Sequence, residues 1–478
     1  MSDRETEPLL LAPNGVHGRT GNYLIAPPAL ADFAAATGQT QTEADEEALA
    51  ERRRADIDAE VMRVPPGVDE GDLAQTGWGI IFSGADADQD LVTEIRRQLE
   101  PLLEHRKAAA TAINATWYRE YVGADGYHQG QSALAWLAHH GVGTGSPYPD
   151  DMPVYLLIVG SPAQIPFSVQ YGIDMQRAVG RIYFDDVDDY GRYAAAVVAH
   201  ETGGGATPER RIDFFGPRNP GDTATGLSSS RLITTLADRL ENQPQWDVAT
   251  TKPEDSTKQG LEGLLTDPTP GALLFTASHG IGFDLDDPLQ LTDQGALVCQ
   301  DWGGPGEDIS PADYFAAADI PAGSALAGRM AFLFACYGGG TPAFDDFAHR
   351  VSATSSIDIA EEPFLARLPQ KLLAGGMLAV AAHVDRAWSY SFQWGKARTQ
   401  VRSFEATLRM LMSGDPIGVA FDHINVKAGT LAVAQASLLG DVLADPDTIR
   451  SAVTTWTAAV DARNYIVIGD PAVRLAVT

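Results

Sequence analysis

The feature that most narrows the fold is a series of short, almost unbroken apolar runs set along the chain. They include "WGIIFSG" (78–84), "VYLLIVG" (154–160), "RIDFFG" (211–216), "GALLFTAS" (271–278), "RMAFLFAC" (329–336), "MLAVAAH" (377–383) and "YIVIG" (465–469), with "GRIYFDD" as a shorter member. A strand with one wet face alternates polar and apolar residues; these do not, so both of their faces must be covered. Between them lie helical stretches such as "SSSRLITTLADRL" and residues 395–414. Residues 88–110 carry Leu91, Ile95, Leu99, Leu102 and Leu103 at helical spacing, and Pro101 is expected to kink or divide that helix. Strands and helices in alternation predict an α/β fold with a mostly parallel sheet. In such sheets functional groups gather just beyond the carboxyl ends of the strands.

A chain of 478 residues exceeds one small core and fits two domains, or one large α/β unit with an extension. Residues 1–76 read as an N-terminal extension, either an inhibitory pro-segment or a partner-recruiting tail, with a charged helix around "AERRRADIDAE" (50–60). Residues 77–150 read as an N-terminal subdomain leading into the sheet, and 151–478 as the main domain. The net charge of −30, from 64 acidic against 34 basic residues, argues against nucleic acid or an anionic membrane as partner. No window approaches the roughly 20 apolar residues of a membrane span. The start, "MSDRETEPLLLAPNGVHGRTG", lacks the pattern of a secretory signal, so a cytoplasmic location is expected. With only Cys299 and Cys336, no disulfide framework or cysteine-rich zinc site is available.

Two strand ends carry chemistry. His279 follows the run ending at Ala277, and Cys336 follows the run ending at Ala335. A cysteine attacks as its thiolate, which a neighbouring imidazole can generate, and the imidazolium can then protonate a leaving amine. Gly280 carries no side chain to block a substrate, so its N–H and that of Cys336 can form an oxyanion hole. Alone, a strand-end histidine is usually structural, and a buried cysteine is usually a small hydrophobe. The pairing of His279-Gly280 with Ala335-Cys336 at two strand ends raises the catalytic reading above the structural one.

"TASHG" and "LFACYGG" resemble the His-Gly and Ala-Cys signatures of caspase-fold cysteine peptidases, and within that group the gingipain family. "YLLIVGSPAQIPF" (155–167), "VGRIYFDDVDDYGRYAAAVVAHE" (179–201), "AVAAHVDRAW" (379–388) and "IVIGDPAVRLAV" (466–477) resemble further family marks, in family order. The resemblance spans about residues 150–478; residues 1–150 match no motif. It implies a three-layer α/β/α sandwich with a mostly parallel sheet, Cys336 as nucleophile and His279 as general base and acid. It further implies Gly280 as an oxyanion-hole donor and Trp388 as a wall of the substrate pocket. Departures accompany it. Ser161 stands where an Asp is usual, Phe334 where caspases place Gln, and Gly226 where the arginine-specific members place an acid, with Asp222 only nearby. Neither a basic nor an acidic preference is therefore inherited. Asp385 could meet a basic substrate side chain and Arg386 an acidic one, or the two could pair with each other or face solvent.

Weaker signals complete the reading. "FDDVDD" (184–189) and "FDLDDP" (283–288) hold enough carboxylates for Ca²⁺, but neither matches an EF-hand loop, and solvated acidic turns are the expectation. No other cofactor or metal is expected. His383 reads as a strand-end structural residue and Cys299 as a thiol without a neighbouring base. The expected activity is that of a regulated intracellular cysteine endopeptidase acting on protein or peptide substrates, with a possible regulatory protein partner, in a bacterial cell. The alternative is a catalytically silent scaffold of the same fold that binds a partner. A nucleotide-binding module is disfavoured, because no strand leads into a G-x-G-x-x-G or Walker loop.

Overall fold

Ten strands form one sheet, and the apolar runs supply most of them. The computed structural model describes residues 15–24, 64, 67–143, 146, 148–348, 356–393, 399–444 and 449–476. The charged helix expected around residues 50–60 lies outside the described residues. In chain order the sheet strands are β2 (Trp78–Ile81), β3 (Tyr118–Tyr121), β4 (Tyr155–Val159), β5 (Ala178–Ile182), β6 (Glu209–Phe215) and β7 (Asp247–Thr250). They continue with β8 (Gly271–Ala277), β12 (Met330–Phe334), β15 (Ala379–His383) and β16 (Tyr465–Gly469). Their spatial order is β3-β2-β4-β5-β16-β15-β12-β8-β6-β7.

The strands β3, β2, β4 and β5 pair in parallel, as do β15, β12, β8, β6 and β7. The strand β16 runs antiparallel to β15 and meets β5 through a single pairing, Ile468 with Arg181. Trp78, which opens β2, donates its indole N–H to Asp470 just past the end of β16, at 3.0 Å. Because β16 ends where β15 begins, with Gly469 opposite Ala379, Asp470 lies on the rim from which β15 starts, and its bond to Trp78 sets the start of β2 on that same rim. The strands β2, β4, β5, β8, β12, β15 and β16 are buried along their whole length, which is why their sequences show no alternation. Residues 77–150 contribute β2 and β3 to this same sheet.

Helices cover the sheet. The first, α1 (Gln89–Ala110), turns Val92, Ile95, Leu99, Leu102 and Leu103 inward. Leu91, expected in that stripe, is exposed, and Val92 takes its place one residue along. Pro101 neither ends nor divides the helix; it is exposed, on the face where water can serve the carbonyl that its missing N–H leaves unpaired. From α1, buried Arg106 reaches Asp470 at 2.7 Å and Glu201 at 2.6 Å, at the end of α2 (Val187–Glu201). Farther on, α3 (Thr223–Leu227) is short, and α4 (Arg402–Ser413) lays Phe404 against Phe275, Phe332 and Tyr465. The last helix, α5 (Ile449–Arg463), leads into β16.

Beyond the carboxyl rim a second sheet joins β1 (Gly15–His17), β9 (Gly280–Gly282), β10 (Leu297–Val298) and β11 (Tyr314–Phe315), in the order β1-β9-β10-β11. A two-stranded pair, β13 (Gly340–Thr341) and β14 (Phe364–Leu365), follows the Cys336 turn.

Candidate active site

Adjacent parallel strands bring His279 and Cys336 together. In the register of β8 and β12, Ala277 lies opposite Phe334, and Ser278 N–H donates to the Phe334 carbonyl at 3.1 Å. The residues that follow, His279 and Cys336, therefore leave the sheet side by side. Gly280 confirms the proximity, since a Cβ added there would fall 1.8 Å from the Cys336 carbonyl oxygen and 2.9 Å from its nitrogen. Only glycine lets these two backbones meet.

His279 is fully buried, and its Nε2 lies 2.8 Å from the Asp222 carboxylate. Its Nδ1 makes no hydrogen bond among the described residues. The rings of Tyr23 and Trp302 meet it edge-on, at 5.6 and 5.7 Å between centroids. Asp222 is the N-cap of α3 and accepts from Ala224 N–H at 3.1 Å and Thr225 N–H at 3.2 Å. It also accepts from the Tyr23 and Thr225 hydroxyls. Burial alone would raise the Asp222 carboxyl, but the facing His279 and the bonds from His279, Thr225 and Tyr23 outweigh it. The carboxyl is held well below the usual range. The sequence reading named no residue to hold the imidazole, and Asp222 entered it only as an acid near Gly226. Its available signal was local, an Asp followed three residues later by Thr at a helix start; the separation of 57 positions from His279 hid the rest.

The Cys336 thiol is turned towards the neighbouring strand. Its Sγ accepts from the Ala387 N–H at 3.2 Å and lies 3.7 Å from the Ala387 carbonyl, and no hydrogen bond joins it to His279. Burial pushes the thiol well above its ordinary range. Beyond it the turn is pinned to the segment after β15, with Tyr337 N–H donating to the Asp385 carbonyl at 2.6 Å and Gly339 N–H to the His383 carbonyl at 2.8 Å. Tyr337 and Asp385 both hold left-handed backbones, with φ of 57° and 62°. Such conformations cost energy in residues with side chains and persist where surrounding contacts over-determine them.

The three candidate pocket residues lie along this pinned segment, each committed to a partner. Asp385 is buried and accepts from Asp346 N–H at 3.0 Å and Arg386 N–H at 2.7 Å. Burial, with Asp346 nearby, pushes its carboxyl up to about 8. Arg386 pairs with Asp345, stands over the Phe347 ring, and has its Nε 3.4 Å from Asp385. Trp388 is buried against Phe347, and its backbone N–H donates to Asp461 at 2.7 Å. The close ion-pair partner of Arg386 is thus Asp345, which the sequence reading did not name, while Asp385 stands nearby at 3.4 Å. A surface depression of about 520 Å³ opens instead on the other side of the site, lined by Asp222 with Arg218, Asn219, Pro220, Gly226 and Leu227.

Elsewhere, both ring nitrogens of His383 face backbone carbonyls, that of Asp461 at 2.9 Å and that of Asp385 at 3.3 Å. Cys299 is buried without a neighbouring base, and its Sγ sits 3.4 Å from the Leu297 carbonyl. The acidic runs are largely paired. Asp186 caps α2, Asp189 faces Arg192 and Lys371, and Asp287 binds Arg19. Among the described residues no group of three or more His, Cys, Asp or Glu side chains is arranged to hold a metal ion, and no helix is long and apolar enough to cross a membrane.

No family model and no curated protein sequence matches the chain. Among solved structures, it is similar to the complex of Porphyromonas gingivalis RgpB pro- and mature domains, at 12% identity over 84% of this chain and 80% of that one, with a TM-score of 0.45. It is similar also to the Arg-specific cysteine proteinase gingipain R, at 10% identity over 84% and 78%, with a TM-score of 0.47. The separase of the Saccharomyces cerevisiae separase–securin complex matches at 8% identity over 67% of this chain and 16% of that one, with a TM-score of 0.32. These neighbours are caspase-fold proteins; at such scores the chemistry rests on the site's own geometry.

Proposed function

We propose that the chain is a cysteine peptidase that cleaves protein or peptide substrates with Cys336 and His279. The observation that carries this reading is the state of His279: one ring nitrogen is held by a buried carboxylate, and the other is unpartnered at the strand end beside the thiol. That is the division of labour a general base requires, with one nitrogen oriented and one available.

In the reaction, rotation about the Cys336 Cα–Cβ bond takes Sγ from the Ala387 amide towards Nδ1 of His279, which accepts the thiol proton. The thiolate attacks the scissile carbonyl carbon, and the carbonyl oxygen gains negative charge facing the N–H groups of Gly280 and Cys336. The imidazolium then donates its proton to the departing amine as the C–N bond breaks, leaving a thioester. Water, deprotonated by the same nitrogen, attacks the thioester; the acid leaves and the proton returns to sulfur. Asp222 keeps the imidazole oriented and stabilises its charged form. No step calls for a metal. Trp388, Asp385 and Arg386 would wall the substrate pocket once the segment that pins the Cys336 turn opens towards it.

One observation favours the silent scaffold: both reacting side chains are fully buried, and the thiol is bonded away from the base. A peptidyl acyloxymethyl ketone separates the readings. The peptidase forms an adduct on Cys336 and none on Cys299, and hydrolyses matched peptides. Folded protein that neither labels nor hydrolyses, even with residues 15–24 displaced, is the scaffold.

A further inference from the structure

The burial of the dyad has an identifiable cause within the chain. Residues 15–24 fold back as a hairpin, with Val16 bridged to Tyr23, Leu24 N–H donating to the Gly15 carbonyl at 3.1 Å, and His17 N–H to the Asn22 carbonyl at 2.8 Å. One arm, β1, pairs in parallel with β9, Gly15 opposite Gly280 and His17 opposite Gly282. This sets Gly15 directly over the nucleophile, where a Cβ would come 3.0 Å from the Cys336 Sγ and 2.7 Å from a Leu24 methyl. The other arm sets Tyr23, whose hydroxyl donates to Asp222 and whose ring meets that of His279. Outside the cleft, Arg19 makes a two-point ion pair with Asp287, at 2.5 and 2.7 Å. The hairpin thus touches the nucleophile, the base's ring and the base's carboxylate together.

We propose that residues 15–24 are a strap that closes the active site, and that lifting it frees the β9 edge for an extended peptide substrate. The inference rests on the peptidase reading for its purpose, though not for its geometry. As an edge strand, β1 occupies hydrogen-bonding positions of β9 beside Cys336. A substrate strand could take those positions by adding to the sheet edge. The hairpin closes its own hydrogen bonds, so it can leave as a unit without unravelling the sheet behind it. With the strap on, the thiol is dry, protonated and out of reach. With it off, water and substrate enter together, and the desolvation that raises the thiol falls away.

The test is the rate at which iodoacetamide alkylates each cysteine of the full-length native protein, located by peptide mass mapping. The wild type should react slowly at both Cys336 and Cys299. Gly15→Val, which forces a side chain between Leu24 and the thiol, and Tyr23→Ala, which removes the bond to Asp222, should each speed alkylation of Cys336. Where reactivity follows the population of the open form, a rise on the order of tenfold is expected, with Cys299 unchanged. If either variant exposes Cys299 as well, it has lost its fold, and Arg19→Ala, altered only at the exposed ion pair, decides with an expected rise of about threefold. Rates at Cys336 within about twofold of wild type in every folded variant would overturn the strap. Peptide hydrolysis, measured alongside, keeps the two readings apart: a freed thiol in protein that cleaves no peptide supports the strap and counts against the peptidase.

Discussion

Two buried histidines flank the nucleophile's strand, and they are opposites in chemistry. His279 ends its run on the β8 side of β12, and His383 closes β15 on the other side. Each ring has an aspartate at Nε2, Asp222 at 2.8 Å for His279 and Asp461 at 3.3 Å for His383. The second nitrogen separates them. In His383 it meets the Asp385 carbonyl, so both nitrogens are engaged by the backbone and the ring serves as a strut between β15 and the end of α5. In His279 it is unpartnered inside a buried site. A buried polar atom without a partner costs about 1–3 kcal/mol, a cost that natural cores seldom retain without a use. Position at a strand end therefore nominates a residue; the fate of its second nitrogen decides what it does.

The sharpest way to break this comparison is to remove each ring in turn and measure hydrolysis once the strap is displaced. Cys336→Ala should abolish turnover, and His279→Ala should lower kcat by about 10⁴-fold or more. His383→Ala should leave kcat within about tenfold but cost roughly 2–4 kcal/mol in denaturant unfolding, because two buried carbonyls lose their partner. Loss of activity at His383 in folded protein, with His279→Ala still active, would reverse the assignment.

The aspartates sharpen it next. Asp222→Asn should lower kcat by about 10²- to 10⁴-fold with little change in KM, since the orienting charge acts mainly on the transition state. Asp461→Asn should leave kcat within about threefold. The stability from Asp222 follows its depressed carboxyl. It is fully present above the ordinary carboxylate range and is lost as pH falls through the lower folded value. Acid unfolding of the wild type should accordingly be steeper than that of Asp222→Asn.

The last expected effect is on stability alone, at Asp385, and its sign is opposite. A carboxyl pushed up to about 8 keeps its proton in the folded state while the unfolded chain gives it up near pH 4. Folding stability should therefore decline as pH rises from about 4 to about 8. Asp385→Asn, which keeps an acceptor for the Asp346 and Arg386 N–H groups, should flatten that decline in unfolding curves taken across the range. An unchanged slope would mean that Arg386 already keeps Asp385 ionised.

Much of the frame was legible because burial on both faces leaves a plain record. The runs ending at Ala277 and Phe334 are strands within a residue or two of their sequence boundaries, and the residues beyond them emerge together at the rim. Within α1 the stripe was right except at its first member, where Val92 rather than Leu91 turns inward; a helix start fixes its phase only through packing. The candidate site was half legible. His279, Gly280 and Cys336 stand next to strand ends, where a local pattern can mark them. Asp222 and Tyr23 reach the same imidazole from a helix cap and from an edge hairpin, across separations no local pattern encodes.

By itself the sequence determined the alternation of buried strands and helices, hence a parallel α/β sheet, and the presence of a thiol and an imidazole at two strand ends. Those follow from side-chain type and short-range spacing, which burial and backbone geometry translate directly. Only the tertiary structure decided that the two strands are neighbours, that Asp222 holds the ring, that His383 is spent on carbonyls, and that residues 15–24 lie across the thiol. Each is a contact between segments far apart in the chain, chosen by how whole elements pack rather than by any residue's own preference.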